Sequence, residues 1–486
     1  MQSVADKIQS FFQSIIPDKI QSFEKLPKSG GDRIYFRITT EGKSYIATYN
    51  ENLRENKTFL YFTEHFSKIN APVPQIHYVH PEGKMYIQED FGKTSLLNEL
   101  EKFGENDYVY DLFKKSLKAL AGLQIGAVRN FDYSYCLTSQ EFGKQAILSD
   151  LLYFKYYFLD TLKIPYDKEK LIDDFESLSN YLTHAEHKYF MFRDFQSRNI
   201  YIQKEAVHFI DYQGGMKGAL QYDVASILWQ ARADLSDQWK NSLLEYYMDC
   251  VSEILEKPVD RSRFAGQYNG YVLIRLMQVL GAYGFRGLFE RKAQFLTSIP
   301  LALNNIKKWF LNNMKIGVSL PEYERLLNCI IQDEVIDRFR PLQADSATPL
   351  IITINSFSYI KTGYPKATAA NGGGFVFDCR GILNPGRVEE YKTLTGRDKP
   401  VMDFLEQRTQ MPEFLNGVYN VVDISVEDYI RRGFDSLTIG FGCTGGQHRS
   451  VYAADALTRY LRNKFRVKIE LNHIEQHIHE RKGFEL

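Results

Sequence analysis

A chain of 486 residues is longer than one hydrophobic core can serve, so two to four domains are expected. Its 44% hydrophobic and 14% aromatic content describes packed globular protein, and 60 basic against 60 acidic residues exclude a bulk electrostatic footprint on nucleic acid or anionic membrane, a local patch apart. Five scattered cysteines (Cys136, Cys250, Cys329, Cys379, Cys443) with no C-x-x-C pair argue against a disulfide framework or structural zinc. With no charged-then-apolar leader and no apolar run of about 18 residues, the expectation is a cytoplasmic protein that spans no membrane.

The opening stretch sets Ile8, Phe11, Phe12, Ile15 and Ile16 at helical spacing without a basic polar face, which predicts a helix packed on its own domain. Residues 33–49 read as a hairpin around Glu41-Gly42, and a helix is expected over about 54–68. Pro72 and Pro74 punctuate, and QIHYVH and KMYIQED flank the turn Pro81-Glu82-Gly83. Residues 1–92 thus form a small, mostly antiparallel lobe. Residues 93–330 read as a helical lobe interrupted by three short strands, YFMFRD, NIYIQ and VHFIDY. The polar run 331–349 loses periodicity and reads as a linker. From 350 to 486 strands alternate with helices, the pattern of a separate α/β domain with a largely parallel sheet.

The sharpest chemical signal is FRDFQSRN…HFIDYQ. Phosphoryl transfer needs a carboxylate to orient the acceptor hydroxyl and oxygen ligands for the metal that neutralises a triphosphate. Asp194 and Asn199 share one short loop between strands, and Asp211 ends the third strand facing the same cleft; ordinary turn residues of a hairpin are the bland alternative. Ser29-Gly30-Gly31-Asp32-Arg33 suits a loop over nucleotide phosphates, or a plain loop. Glu89, Asp90 and Phe91 occupy a hinge position, or are strand-end residues.

These stretches resemble the aminoglycoside phosphotransferase family. The resemblance implies an α+β, protein-kinase-like bilobal fold using ATP and magnesium (Mg2+), with Asp194 as catalytic base, Asn199 and Asp211 as metal ligands, and Asp223 bracing the catalytic loop. Gly30, Gly31, Asp32, Arg33, Arg37, Glu89, Asp90 and Phe91 would contact nucleotide. One departure stands out: Thr48 occupies the place of the usual strand lysine. Glu55 is then without its ordinary partner, Arg33 and Arg37 are candidate substitutes, and a catalytically weak, metabolite-sensing adaptor is the other reading. Within the family, GGDRIYFR, RDFQSRN and DYQ are similar to the amino-sugar anomeric kinases of N-acetylmuramate and N-acetylglucosamine. That implies sugar contacts from Arg193, Gln196 and Gln213, with Gln196 standing where that subgroup has histidine.

In the last domain a strand, SLTIGFG, leads through Cys443-Thr444-Gly445-Gly446-Gln447-His448-Arg449-Ser450 into a helix, a turn suited to phosphate. The string fits C-x-x-G-x-x-R-S, the loop of cysteine-dependent phosphatases, with Asp378 available as general acid. FVFDCRGILNPG, LTGRDKPV and IGFGCTGGQHRS also resemble, in order, the C-terminal domain of the RapZ family. That resemblance implies an amino-sugar-phosphate pocket (glucosamine-6-phosphate) lined by Asp378, Arg380, Thr444, Gly445, Gly446, His448 and Arg449. Gly386 stands where that family often has histidine. Asn371 to Gly374 reads as a flexible loop, and His473, His477 and His479 as a solvated tail, on a helix if on any element. The expected partners are an amino sugar and a sugar phosphate, with a homo-oligomer or a regulatory protein left open; residues 350–486 are nearly charge-balanced, so nucleic acid is not expected.

Overall fold

Glu41-Gly42 does close a hairpin. Gly42 takes φ +90°, a conformation that suits glycine, and joins β2 (Ile34–Thr39) to β3 (Ser44–Tyr49). In this computed structural model, residues 4–26, 33–186, 188–290, 293–312, 315–340, 342–365 and 374–483 are described. The chain forms two units, Met1–Gly284 with Leu301–Gln332, and Phe285–Pro300 with Asp333–Leu486.

In the first unit β1 (Ser22–Lys25), β2, β3, β4 (Ile76–Val79) and β5 (Met85–Glu89) make an antiparallel sheet in the order β1-β2-β3-β5-β4. The N-terminal helix Val4–Ile15 buries Ile8 and Phe12 against Phe36, Ile38 and Tyr45, the packing its apolar spacing predicts. Asn52 caps the next helix, Leu53–Lys68, by accepting the Glu55 N–H at 3.2 Å.

The helical lobe contains β6 (Tyr189–Met191), β7 (Ile200–Gln203), β8 (Ala206–Phe209) and β9 (Met216–Gly218) as two short ribbons, β6-β9 and β7-β8. Lys204 and Glu205 both take positive φ in the two-residue turn between β7 and β8, the backbone twist a tight hairpin requires. The run Arg261–Phe289 reaches a mean hydropathy of 1.2 over 18 residues, with 56% of that window buried inside the protein. Its Arg275 is buried and ion-paired, which fits a core helix.

The second unit is built on β10 (Ile351–Ser358), β11 (Gly374–Asp378), β12 (Ser436–Cys443), β13 (Lys468–His473) and β14 (Ile478–Lys482). The order is β11-β12-β10-β13-β14, parallel except for β14, which makes the sheet mixed but mostly parallel. Helices Lys399–Arg408, Met411–Arg432 and Arg449–Phe465 share its core through residues such as Leu405, Val418 and Leu457. Two expectations need correcting. Within the stretch read as a linker, Asp333–Asp337 is a helical turn with Val335 and Ile336 buried. Of the histidines read as a solvated tail, His473 is instead fully buried at the end of β13, while His477 and His479 are exposed, His479 on β14 opposite Asn472, because I-H-E-R-K alternates with period two. Asn371, Gly372 and Gly373 lie outside the described residues. Gly374 opens β11 where a Cβ would stand 1.6 Å from the Thr438 carbonyl oxygen, so glycine is required by close approach.

Candidate functional sites

The loop between β6 and β7 carries Asp194 and Asn199, and Asp211 follows β8. Two of these turns are strained: Arg193 takes φ +75° and Asp211 φ +67°, neither being glycine. The first is held by Asp223, fully buried, whose carboxylate accepts the N–H groups of Phe192 (2.7 Å) and Arg193 (2.9 Å) and the Gln124 amide (2.8 Å). Asn199 donates to the Asp194 carbonyl at 3.0 Å, tying the ends of the loop together. Asp194 Oδ1 accepts from Arg275 (3.1 Å) and Gln196 (3.2 Å). Asp211 Oδ1 accepts from Gln213 at 2.7 Å. Burial pushes the Asp211 carboxyl above its ordinary range, and the nearby Asp194 charge pushes it the same way.

Asn199 and Asp211 line a cavity of about 390 Å³ between the small sheet and the helical lobe. Ile46 from the sheet faces Tyr201 and Ile210 from the other lobe, apolar walls able to hold a flat base. Phe91 lines the cavity with its ring stacked on His208 at 4.1 Å. Gly30, Gly31 and Asp32 lie outside the described residues. Arg33 also lines the cavity and is 6% exposed. Its Nε donates to Glu55 at 2.9 Å, Nη2 also meets Glu55, and Nη1 donates to the Tyr35 hydroxyl at 3.1 Å. Thr48 is fully buried and pairs in register with Tyr35 on one side and Tyr86 on the other.

Other predicted contacts are spent within the protein. Arg37 lines the cavity, but its guanidinium grips Asp90 (2.6 and 3.0 Å) and the Gly92 carbonyl (2.6 Å). Asp90 accepts from Ser44 as well, so this pair fastens the hinge to the sheet. The Glu89 carboxylate accepts the Gln75 N–H. Arg193 is taken up by Asp150 at 2.8 and 3.2 Å and lies over the Phe142 ring at 4.8 Å. Sequence reasoning missed Arg275, which reaches Asp194 from a helix 81 residues on and leaves no local pattern.

In the second unit the loop after β12 gathers Thr444, Gly445, Gly446, His448 and Arg449. Arg449 Nη1 donates to the carbonyls of Arg380 (3.0 Å) and Ile382 (2.7 Å), while Nη2 reaches Thr444 Oγ1 at 3.4 Å. Asp378 is bound by Arg380, whose guanidinium lies over the Tyr359 ring at 4.2 Å. His448 Nε2 meets the Tyr391 carbonyl at 2.8 Å, and burial lowers its pKa below the ordinary histidine range. A Cβ at Gly386 would come 3.1 Å from His448 Cε1, a tight approach that a larger side chain would need His448 to yield to. The Cys443 thiol is buried against Ser450 Oγ (3.1 Å) and the Gly446 N–H (3.2 Å). A depression of about 630 Å³ beside the loop is lined by Arg380 and Arg449 and, unforeseen from sequence, by Arg387 and Arg408. No carboxylate lines it. Thr444, His448 and Asp378 are not among its walls. Among the described residues no group of three or more His, Cys, Asp or Glu side chains could hold a metal.

Residues 23–254 match the model of the phosphotransferase enzyme family, and residues 350–477 match that of the RapZ C-terminal domain. The chain is 35% identical over 135 residues to a nucleotide-binding protein of Fervidobacterium nodosum, covering 28% of this chain and 46% of that protein. It is 39% identical over 121 residues to a nucleotide-binding protein of Endomicrobium trichonymphae, covering 25% and 40%. It therefore spans less than half the length of either relative. Among solved structures, choline kinase LicA from Streptococcus pneumoniae aligns at 12% identity over 62% of this chain and 98% of that one, with a TM-score of 0.40. A choline/ethanolamine kinase family protein from Mesorhizobium loti aligns at 12% identity over 67% and 98%, with a TM-score of 0.43.

Proposed function

We propose that the phosphotransferase domain is an ATP- and magnesium-dependent kinase of a small amino sugar, and that the second unit binds an amino-sugar phosphate such as glucosamine-6-phosphate. The observation that carries the kinase reading is the meeting of Asn199 and Asp211 on one cavity wall, with Asp194 close enough to oppose ionisation of Asp211. Two carboxylates in mutual repulsion, one of them buried, are what a divalent cation relieves. Asn199 and Asp211 would hold magnesium, and the bound ion would neutralise the triphosphate, with phosphate oxygens and water completing its shell. Both donors to Asp194 act on Oδ1, which leaves Oδ2 to accept the hydroxyl proton of the acceptor.

The acceptor end of the site is cationic. Arg275 touches Asp194, and the charge of the exposed Arg198 acts on Asp211. Such a pair favours N-acetylmuramate, which carries a carboxylate, over the neutral N-acetylglucosamine. In the second unit, four arginines around one depression suit a phosphate.

The test is ATP turnover against a panel of neutral and carboxylated amino sugars. Asp194→Ala and Asp211→Ala should each lower turnover by about 10³-fold or more, since positioning and electrostatics supply nearly all the catalysis. Unchanged turnover in either variant removes the assignment. Binding of ATP with no sugar phosphorylated would point instead to the silent adaptor.

A further inference from the structure

Protein kinases pair a lysine on the third strand of the small lobe with a helix glutamate, and that lysine grips the nucleotide phosphates. In this chain the third-strand position is Thr48, fully buried and paired across the sheet with Tyr35 and Tyr86. The helix glutamate is nonetheless present and engaged. Glu55 accepts from Arg33 through two guanidinium nitrogens, and its other oxygen accepts the Asn50 amide at 2.9 Å. Arg33 immediately precedes β2, the strand beside β3, and lines the same cavity as Asp211. Burial acts to lower its pKa, but arginine starts so far above neutrality that the guanidinium stays charged, and Glu55 beside it favours that form.

We propose that Arg33 supplies the phosphate-binding cation of this site, moved from the third strand to the start of the second, with Glu55 and the Tyr35 hydroxyl as its positioning residues. The inference rests on the kinase reading above and adds which side chain completes it. The geometry favours a functional role over a merely structural one. A buried ion pair brings little net stability compared with an apolar pair of the same shape, yet this one is kept at a cavity wall. An arginine also carries five N–H groups in a planar fork, so Nε and Nη2 can hold Glu55 while Nη1, which gives one N–H to Tyr35, keeps its second for phosphate.

The experiment compares wild type, Arg33→Met, Arg33→Lys and the double variant Arg33→Met/Thr48→Lys in the full chain. It reads kcat, KM for ATP, KM for the sugar, thermal unfolding, and equilibrium affinity for ATP by calorimetry. Arg33→Met should lower kcat/KM for ATP by about 10²-fold or more, with KM for the sugar changed less than about threefold. Arg33→Lys should keep part of the activity, and the double variant should regain about tenfold over Arg33→Met, a recovery no purely structural role predicts. The proposal is overturned if Arg33→Met keeps kcat/KM within threefold of wild type, or if a folded double variant gains nothing. Should wild type phosphorylate no sugar, the kinase reading fails on its own. The arginine assignment is then read from ATP affinity: a tenfold or greater loss in Arg33→Met upholds it, and unchanged affinity removes it.

Discussion

Asp223 shows how one side chain sets the loop that carries Asp194. It is fully buried, burial pushes its carboxyl up to about 7, and the N–H groups it accepts hold Arg193 at positive φ just before Asp194. A carboxyl raised in the folded state keeps a proton that the unfolded chain releases near pH 4. Its contribution to stability is therefore present below about pH 4 and lost as pH rises through about 7, at up to about 1.4 kcal/mol per pH unit. Asp223→Asn should flatten that part of a stability–pH profile from urea unfolding. Because its amide nitrogen would confront the Arg193 N–H that Asp223 Oδ1 accepts, it should also lower turnover by about tenfold or more. At this scale the sequence was legible where spacing is local: Asp194 and Asn199 share one short loop, and Asn199 and Asp211 line one cavity, although Asp194 is not among its walls. It was not legible where a long side chain chooses among partners. Arg33, Arg37 and Arg193 look alike in a string, and only the fold gives Glu55, Asp90 and Asp150 to them in turn.

Among elements, long periodic segments and alternating strands were readable, while β1, β9 and β14 were not. β1 (SFEK) and β9 (MKG) each carry a single large apolar residue, unlike the comparably short β6 (YFM), and β14 is rich in charge because it stands at the border of its sheet. The polar run before β10 was misread for a related reason: two buried residues, Val335 and Ile336, suffice for one helical turn. An ion cluster joins elements that are distant in sequence. Arg397 binds Asp455 on the helix Arg449–Phe465 (2.9 Å) and Glu480 on β14 (2.8 Å). Burial would raise Asp455, but His473 at 3.5 Å and hydrogen bonds from Arg397 bring it down to about 2, and Arg397 with Lys482 brings Glu480 to about 2. Carboxyls lowered in the folded state contribute stability above about pH 4 that is lost as pH falls towards 2. Arg397→Met should reduce the acid sensitivity of the second unit over that window. With solvent screening taken into account, it should cost about 2 kcal/mol at neutral pH, measured by circular dichroism during denaturant unfolding.

For the whole molecule, each unit has its own core and its own candidate ligand site, so two transitions are expected in scanning calorimetry of the full chain. ATP with magnesium should raise one midpoint and glucosamine-6-phosphate the other, as binding to the folded state requires. Arg449→Ala should cancel the second shift and leave the first. A single shift shared by both ligands would mean that one site takes both. The division into a β-rich lobe, a helical lobe and an α/β unit was plain from the changing rhythm of apolar residues. That Phe285–Pro300 joins the later unit was not, because a segment's allegiance is decided by packing that has no signature in its own composition.

β14 has a last consequence. It runs against the direction of its neighbours and presents His479 and Arg481 outward, so the flank of the sheet ends in a charged, reversed strand. A second molecule seeking to continue the ladder there would bring like charges together across the new seam. The strand thus forms a selvedge, finishing the fabric on one side with charge.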